Sequence, residues 1–278
     1  MKKVVSIVLC LVMALGLLAG CGSEEKYSVG VQGGSTSNFY MAGDEGWGFE
    51  GFQNIDVKKF NNAGLAVKDM LNGNTDAVVV DMGPAQQLVK ANAGTKLINI
   101  PLTEEEYAFG VNKNDPELLE KVNAFITQAM SDGTIEAIMN KYFNDEGDIV
   151  GIEAGELDLE KADEQLVVAT NSGFNPFEYK QGDKFVGIDM EIAAALAEYL
   201  GMELVILDMD FDAVVTSVGK NGVDIAMAGL TVNPTRAESV NFSQSYYEAS
   251  QVLIVMEDDT TFDDCATAAD VEEILNGK

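Results

Sequence analysis

Two runs of alternating short apolar segments and amphipathic segments, divided by one acidic stretch without pattern, constrain this chain most. In the first run, Val29-Gly30-Val31-Gln32 reads as a strand, followed by the turn Gly33-Gly34-Ser35-Thr36-Ser37. Residues 65–71 read as a helix closing at Gly73, and 76–81 (Asp-Ala-Val-Val-Val-Asp) as a buried strand. Pro84 sits in the first turn of a helix carrying Leu88 and Val89, and 97–100 is a further strand. Residues 107–112 alternate like an edge strand. Asp115-Pro116 opens a helix with Leu118, Leu119, Val122, Phe125, Ile126, Ala129 and Met130 on one face, and 135–143 is a second helix.

Residues 144–165 are acidic, contain glycine and lack periodicity, as a linker does. The alternation then resumes. Strands are expected at 166–170, 204–207, 223–228 and 252–255, and helices at 189–200 (closing at Gly201) and 270–275. Strands alternating with helices give parallel sheets covered on both faces, an α/β fold.

Composition narrows the function. The formal net charge is −29 and histidine is absent. Such a surface repels phosphate backbones, which excludes nucleic acid as a partner. Absence of histidine removes the commonest general base and metal ligand. The cysteines are Cys10, Cys21 and Cys265, too few and too scattered for a disulfide framework or a cysteine metal site, so no metal and no cofactor is expected.

The first 20 residues have the three parts of an export leader: Lys2 and Lys3, the apolar run 4–18, then small residues before Cys21. Leu18-Ala19-Gly20-Cys21 resembles the bacterial lipobox, which implies a diacylglycerol on Cys21 and a place on the outer face of the cell membrane. Only Gly22 to Lys26 would then separate the lipid from the first strand.

Residues 166–256 carry a more specific resemblance. Val-Val-Ala-Thr-Asn-Ser-Gly-Phe-Asn-Pro-Phe-Glu-Tyr (167–179), Phe-Val-Gly-Ile-Asp-Met-Glu-Ile-Ala (185–193), Asp-Ile-Ala-Met-Ala-Gly-Leu-Thr (224–231), Arg236 and Val-Asn-Phe-Ser-Gln-Ser-Tyr-Tyr (240–247) resemble the first lobe of the amino-acid-binding proteins of bacterial ABC importers, the family 3 solute-binding proteins. Residues 27–143 resemble that family's second half: Val-Gly-Val-Gln-Gly-Gly-Ser-Thr (29–36) its opening loop, 76–81 its ligand strand, and Asp132-Gly133-Thr134-Ile135 with Tyr142-Phe143 its closing helix. The halves therefore stand in swapped order, as in a circular permutation. Reading from Lys278 directly into Tyr27 gives helix, glycine stop, strand and glycine-rich loop without a gap. Residues 144–165 fall where the family's termini would lie; about 22 residues can span roughly 70 Å.

The resemblance implies two Rossmann-like lobes of the periplasmic-binding-protein-like II kind, joined by a two-strand hinge. One lobe would comprise 27–101 and 258–278 and the other 102–257, with crossing strands near 101–107 and 252–258. It also implies a monomer that closes on a free amino acid and delivers it to the membrane subunits of an importer.

An amino acid needs a fork for its carboxylate, an anion for its ammonium and apolar walls for its side chain. Arg236 is the only arginine beside 16 lysines, and a planar guanidinium pairs bidentately with a carboxylate. From the resemblance, the Thr231 hydroxyl and the backbone N–H groups of Ser35 and Thr36 would join it. Asp81 would hold the ammonium with the Gly229 carbonyl, Phe174 and Phe211 would form the walls, and Asn171 and Gln32 would select the side chain. A helix N-cap ahead of Pro84 is the competing reading of Asp81. Two other functions fit the same fold: a ligand-sensing module for a signalling partner, and a cleft enzyme resembling cyclohexadienyl dehydratase. The second requires a placed general acid or base, and only Asp81 is a candidate.

Overall fold

A computed structural model describes residues 26–277. The leader, the lipobox with Cys21, and Lys278 lie outside the described residues.

The first run lays down β1 (Tyr27–Gln32), β2 (Ile55–Phe60), β3 (Ala77–Asp81) and β4 (Thr95–Ile98), with helices Thr36–Ala42, Ala63–Leu71 and Met82–Ala91 between them. Two short strands follow, β5 (Glu105–Tyr107) and β6 (Gly110–Asn112), then helices Pro116–Ser131 and Thr134–Phe143. The second run opens with β7 (Gln165–Thr170) and a small antiparallel sheet of β8 (Gly173–Phe174), β9 (Glu178–Gln181) and β10 (Lys184–Val186). Helix Ile188–Leu200, β11 (Glu203–Asp208), helix Phe211–Ser217, β12 (Ile225–Ala226) and the short helix Pro234–Ala237 follow. The chain closes with β13 (Val240–Phe242), β14 (Tyr247–Ala249), β15 (Gln251–Met256) and helix Ala268–Leu275.

The two main sheets are built alike. Their orders are β2-β1-β3-β15-β4 and β11-β7-β12-β6-β13. In each the first three strands are parallel and the fourth is antiparallel. That fourth strand reaches its sheet from the crossing pair β5 and β14, which are themselves paired antiparallel. Each lobe thus takes one strand from chain that has just crossed from the other lobe.

The sequence pattern explains the packing. Every residue of β3 and of β7 is buried, as parallel strands covered on both faces require. Along the first sheet, Val29, Val31 and Val79 pack with Phe262, Val271 and Leu275 on one face. Val78 and Val80 pack with Ala66, Val67 and Met70 on the other, the two-residue alternation of a strand. The last helix therefore belongs to the lobe of the first run. In the second lobe, Leu166, Val168 and Ile225 meet Val122, Ile126, Ile192 and Leu196. Val167, Ala169 and Ala226 meet Val214 and Val215.

Four expectations are corrected. The crossing strand expected near 252–258 is Tyr247–Ala249 instead, and 251–256, expected in the lobe 102–257, pairs with β3 and β4 in the first sheet. Its unbroken apolar run is what a central strand needs. Residues 107–112 are not one edge strand: the chain leaves the hinge after Tyr107 and enters the second sheet as β6, between β12 and β13. The strand expected over 223–228 contracts to Ile225–Ala226, because the following residues line a cavity and Gly229 takes a positive φ of 53°. The linker 144–165 also docks on the second lobe. Ile152 exchanges backbone hydrogen bonds with Phe185, and the Gly155 N–H donates to Leu204 O at 2.8 Å, so the segment covers the edge strand β11.

Candidate functional site

Nine of the ten candidate residues line one cavity: Gln32, Ser35, Thr36, Asp81, Phe174, Phe211, Gly229, Thr231 and Arg236, with Ala228. The tenth, Asn171, lies beside it and accepts a hydrogen bond from Gln32 Nε2 at 3.3 Å. The first lobe contributes the C-terminal ends of β1 and β3, and the second lobe the segments after β7, β11 and β12. Ligands of open α/β sheets bind outside the carboxyl ends of the strands.

Arg236 sits on the helix Pro234–Ala237, whose N-cap Asn233 accepts from the Arg236 N–H at 2.9 Å. The side chain is buried, 9% exposed. Nη1 donates to the Thr231 carbonyl at 3.0 Å, and Nη2 donates across the cleft to the Gly34 carbonyl at 3.2 Å. No carboxylate of the described residues lies within 4.0 Å of the guanidinium. Burial lowers its pKa to about 10, against the opposing pull of Glu105 and Asp81. It stays a cation at neutral pH, lacking an anionic partner.

Asp81 is the reverse case. It occupies the N-cap position of helix Met82–Ala91, but its side chain makes no capping bond. It accepts instead from the Tyr107 hydroxyl at 2.6 Å. Burial and the neighbouring Glu105 raise its pKa to about 7, although hydrogen bonds from Tyr107 and Gln251 hold it down. A cation placed beside it would restore the charged form.

Thr231 departs from expectation. Its hydroxyl donates to Glu105 Oε2 at 2.6 Å and accepts from Thr36 Oγ1 at 3.0 Å, so its single proton is committed to Glu105. Glu105 also accepts from Thr103 and from Gln251 Nε2. Ser35 caps helix Thr36–Ala42 through Asn38 N and donates to the Gln32 carbonyl at 2.7 Å. The Ser35 N–H makes only a long 3.4 Å contact with that carbonyl. Gly229 must be glycine: a Cβ there would lie 2.8 Å from the Phe174 ring, on a positive-φ backbone. Its N–H donates to the buried Asp189 at 2.9 Å.

Sequence reasoning missed Tyr107, Glu105 and Gln251, which lie behind Asp81 and Thr231. The pairing of β5 with β14, at the lead-in to β15, brings them together, and no local motif signals it. The structure also brings Trp47 to the cavity's outer rim, with its ring centre 4.9 Å from the Arg236 guanidinium carbon.

Comparison with known proteins follows the same residues. The sequence profile of the bacterial extracellular solute-binding proteins, family 3, matches residues 30–145 and 166–276 and leaves the acidic segment out. The arginine-binding extracellular protein ArtP of Bacillus subtilis (strain 168) is 38% identical over 99 residues, 36% of this chain and 39% of that protein. The L-cystine-binding protein TcyJ of Escherichia coli (strain K12) is 29% identical over 100 residues, 36% of this chain and 38% of that protein. The ABC transporter arginine-binding protein 1 of the same strain is 30% identical over 98 residues, 35% of this chain and 40% of that protein. The matched part thus spans about two fifths of the length of each of these relatives.

Proposed function

The chain belongs to the bacterial extracellular solute-binding proteins of family 3, and we propose that it captures a free L-amino acid between its lobes and hands it to an ABC importer. One observation carries this reading. Among the described residues, a single cavity holds a buried guanidinium with no carboxylate within 4.0 Å and a buried carboxylate with no cation within 4.0 Å, with Phe174 and Phe211 beside them. A zwitterionic amino acid supplies both missing charges. Its carboxylate meets Arg236 with the backbone at Ser35 and Thr36, and its ammonium meets Asp81 with the Gly229 carbonyl. The relatives' names, arginine-binding and L-cystine-binding, support the ligand class. Gln32 and Asn171, both neutral, face the ligand's side chain.

The reading is one of binding rather than catalysis, since the cavity carboxylate is already engaged by Tyr107 and serves as a counter-charge. Its setting is the outer face of the cell membrane, through a lipid on Cys21. The order of the halves is that of a circular permutation. Support comes from the described ends of the chain: Tyr27 pairs with Ile55, the adjoining Asn54 donates to the Asn276 carbonyl, and the Tyr27 hydroxyl donates to Asp259 at 3.1 Å. Calorimetric titration with each of the twenty amino acids tests the function. At least one is expected to bind the wild type, and Asp81→Asn is expected to weaken it by at least tenfold. Undiminished binding by Asp81→Asn would remove the ammonium site.

A further inference from the structure

The mouth of the cleft carries a contact between the lobes. Residues 44–49 form a tight loop on the first lobe, closed by backbone hydrogen bonds between Asp44 and Phe49 at 2.9 and 3.0 Å. Its base is pinched: Gly43 and Gly51 both have positive φ, and a Cβ on Gly43 would meet the Glu50 carbonyl. The short helix Glu45–Trp47 inside the loop is capped by Asp44, whose side chain accepts from Trp47 N at 3.1 Å. The Trp47 indole stacks on Phe39 with ring centres 4.6 Å apart and planes 26° apart. Trp47 is thereby held by its own lobe before it meets anything on the other.

What it meets is Arg236. The guanidinium carbon lies 4.9 Å from the Trp47 ring centre and 5.3 Å from that of Phe211, which belongs to the second lobe. The Gly34 carbonyl, also from the first lobe, accepts from Nη2. Two of the groups that orient the guanidinium therefore come from across the cleft and leave it when the lobes part. An indole face attracts a guanidinium, most strongly where water is excluded.

We infer that Trp47 is a positioning residue of the ligand site, an interlobe latch that fixes the carboxylate-binding fork of Arg236 when the cleft closes. The inference rests on the reading of Arg236 as the carboxylate ligand. Closure and correct presentation of the fork become one event, so a ligand held by Arg236 strengthens a contact that keeps the cleft shut. Loss of the indole leaves the fork less well fixed and the closed state less populated.

A cysteine pair reads the latch without knowledge of the ligand. Gly46 and Thr235 face each other across the cleft: a Cβ on Gly46 would lie 2.9 Å from Thr235 Oγ1, and both residues are exposed. Disulfide formation needs Cβ atoms about 3.5–4.5 Å apart. The protein carrying Gly46→Cys and Thr235→Cys, with Cys10, Cys21 and Cys265 replaced by serine, is oxidised with diamide with and without a mixture of the L-amino acids other than cysteine, and the rate of cross-linking is followed. The same pair is compared in Trp47→Ala and Trp47→Phe backgrounds, with melting temperatures recorded. The expected result is efficient cross-linking that slows by about threefold or more in Trp47→Ala at little change in melting temperature, with Trp47→Phe recovering most of the rate. Failure of the pair to cross-link, or equal rates with and without Trp47, overturns the latch. Trp47-dependent cross-linking that the amino acids leave unchanged supports the latch contact and contradicts the amino-acid reading instead.

Discussion

Tyr107 donates its phenolic proton to Asp81 at 2.6 Å, from a strand that crosses between the lobes to a carboxylate at the end of a first-lobe strand. Both residues are buried. Tyr107→Phe removes a hydrogen bond to a charged group, worth about 1.5–3 kcal/mol. Amino-acid affinity at pH 7 is expected to fall about tenfold or more, because Asp81 is driven further toward its neutral form. Raising the pH to 8.5 should recover part of the loss. Affinity equal to wild type at pH 7 would show that the tyrosine does not support the ammonium site.

The same contact marks where the sequence stops being legible. The residues that line the cavity sit in local text: Arg236 five residues after Thr231, Asp81 ending an apolar strand, Ser35 and Thr36 in a glycine-rich turn. The cavity gathers nine of the ten residues read this way. Tyr107, Glu105 and Gln251 could not be read, since their meeting depends on the pairing of strands 140 or more positions apart. Trp47 lies in a glycine-rich loop without periodicity. The α/β class was written in the alternation, but the exchange of β15 and β6 between sheets was not, because an apolar run reads the same in either lobe.

The buried carboxylates predict an unusual pH dependence. The pKa of Asp81 is raised to about 7, and those of Asp189 and Asp224 to about 6, mainly by burial, from a value of 3.8. Between those limits the folded protein holds protons that the unfolded chain has released. Stability therefore falls as pH rises from about 4 to about 7. The melting temperature of the ligand-free protein is expected to be higher at pH 5 than at pH 8. High salt should leave most of the difference, since buried groups are poorly screened. Asp81→Asn should flatten the upper part of the curve. A melting temperature that climbs from pH 5 to pH 8 would contradict the raised values.

The ends of the described chain predict tolerance to a new order. The Asn54 side chain donates to the Asn276 carbonyl, and Tyr27 pairs with Ile55. Joining Gly277 to Tyr27 through a few glycine and serine residues, and opening the chain within 146–151, should give a protein that melts within a few degrees of the original. That segment's residues are exposed or half-buried. An insoluble or unfolded product would show that the acidic segment does more than connect the halves.

The central claim, that Arg236 grips the carboxylate of a free amino acid, is tested most directly by thermal denaturation of the purified protein against each of the twenty amino acids and cystine. A ligand at 100 times its Kd adds about 2.7 kcal/mol of stability, a rise of about 5–10 °C for a chain of this size. The predicted result is such a rise with at least one amino acid in the wild type, and loss of most of it in Arg236→Lys, which lacks the planar fork. No shift with any amino acid, or a full shift retained by Arg236→Lys, would contradict it.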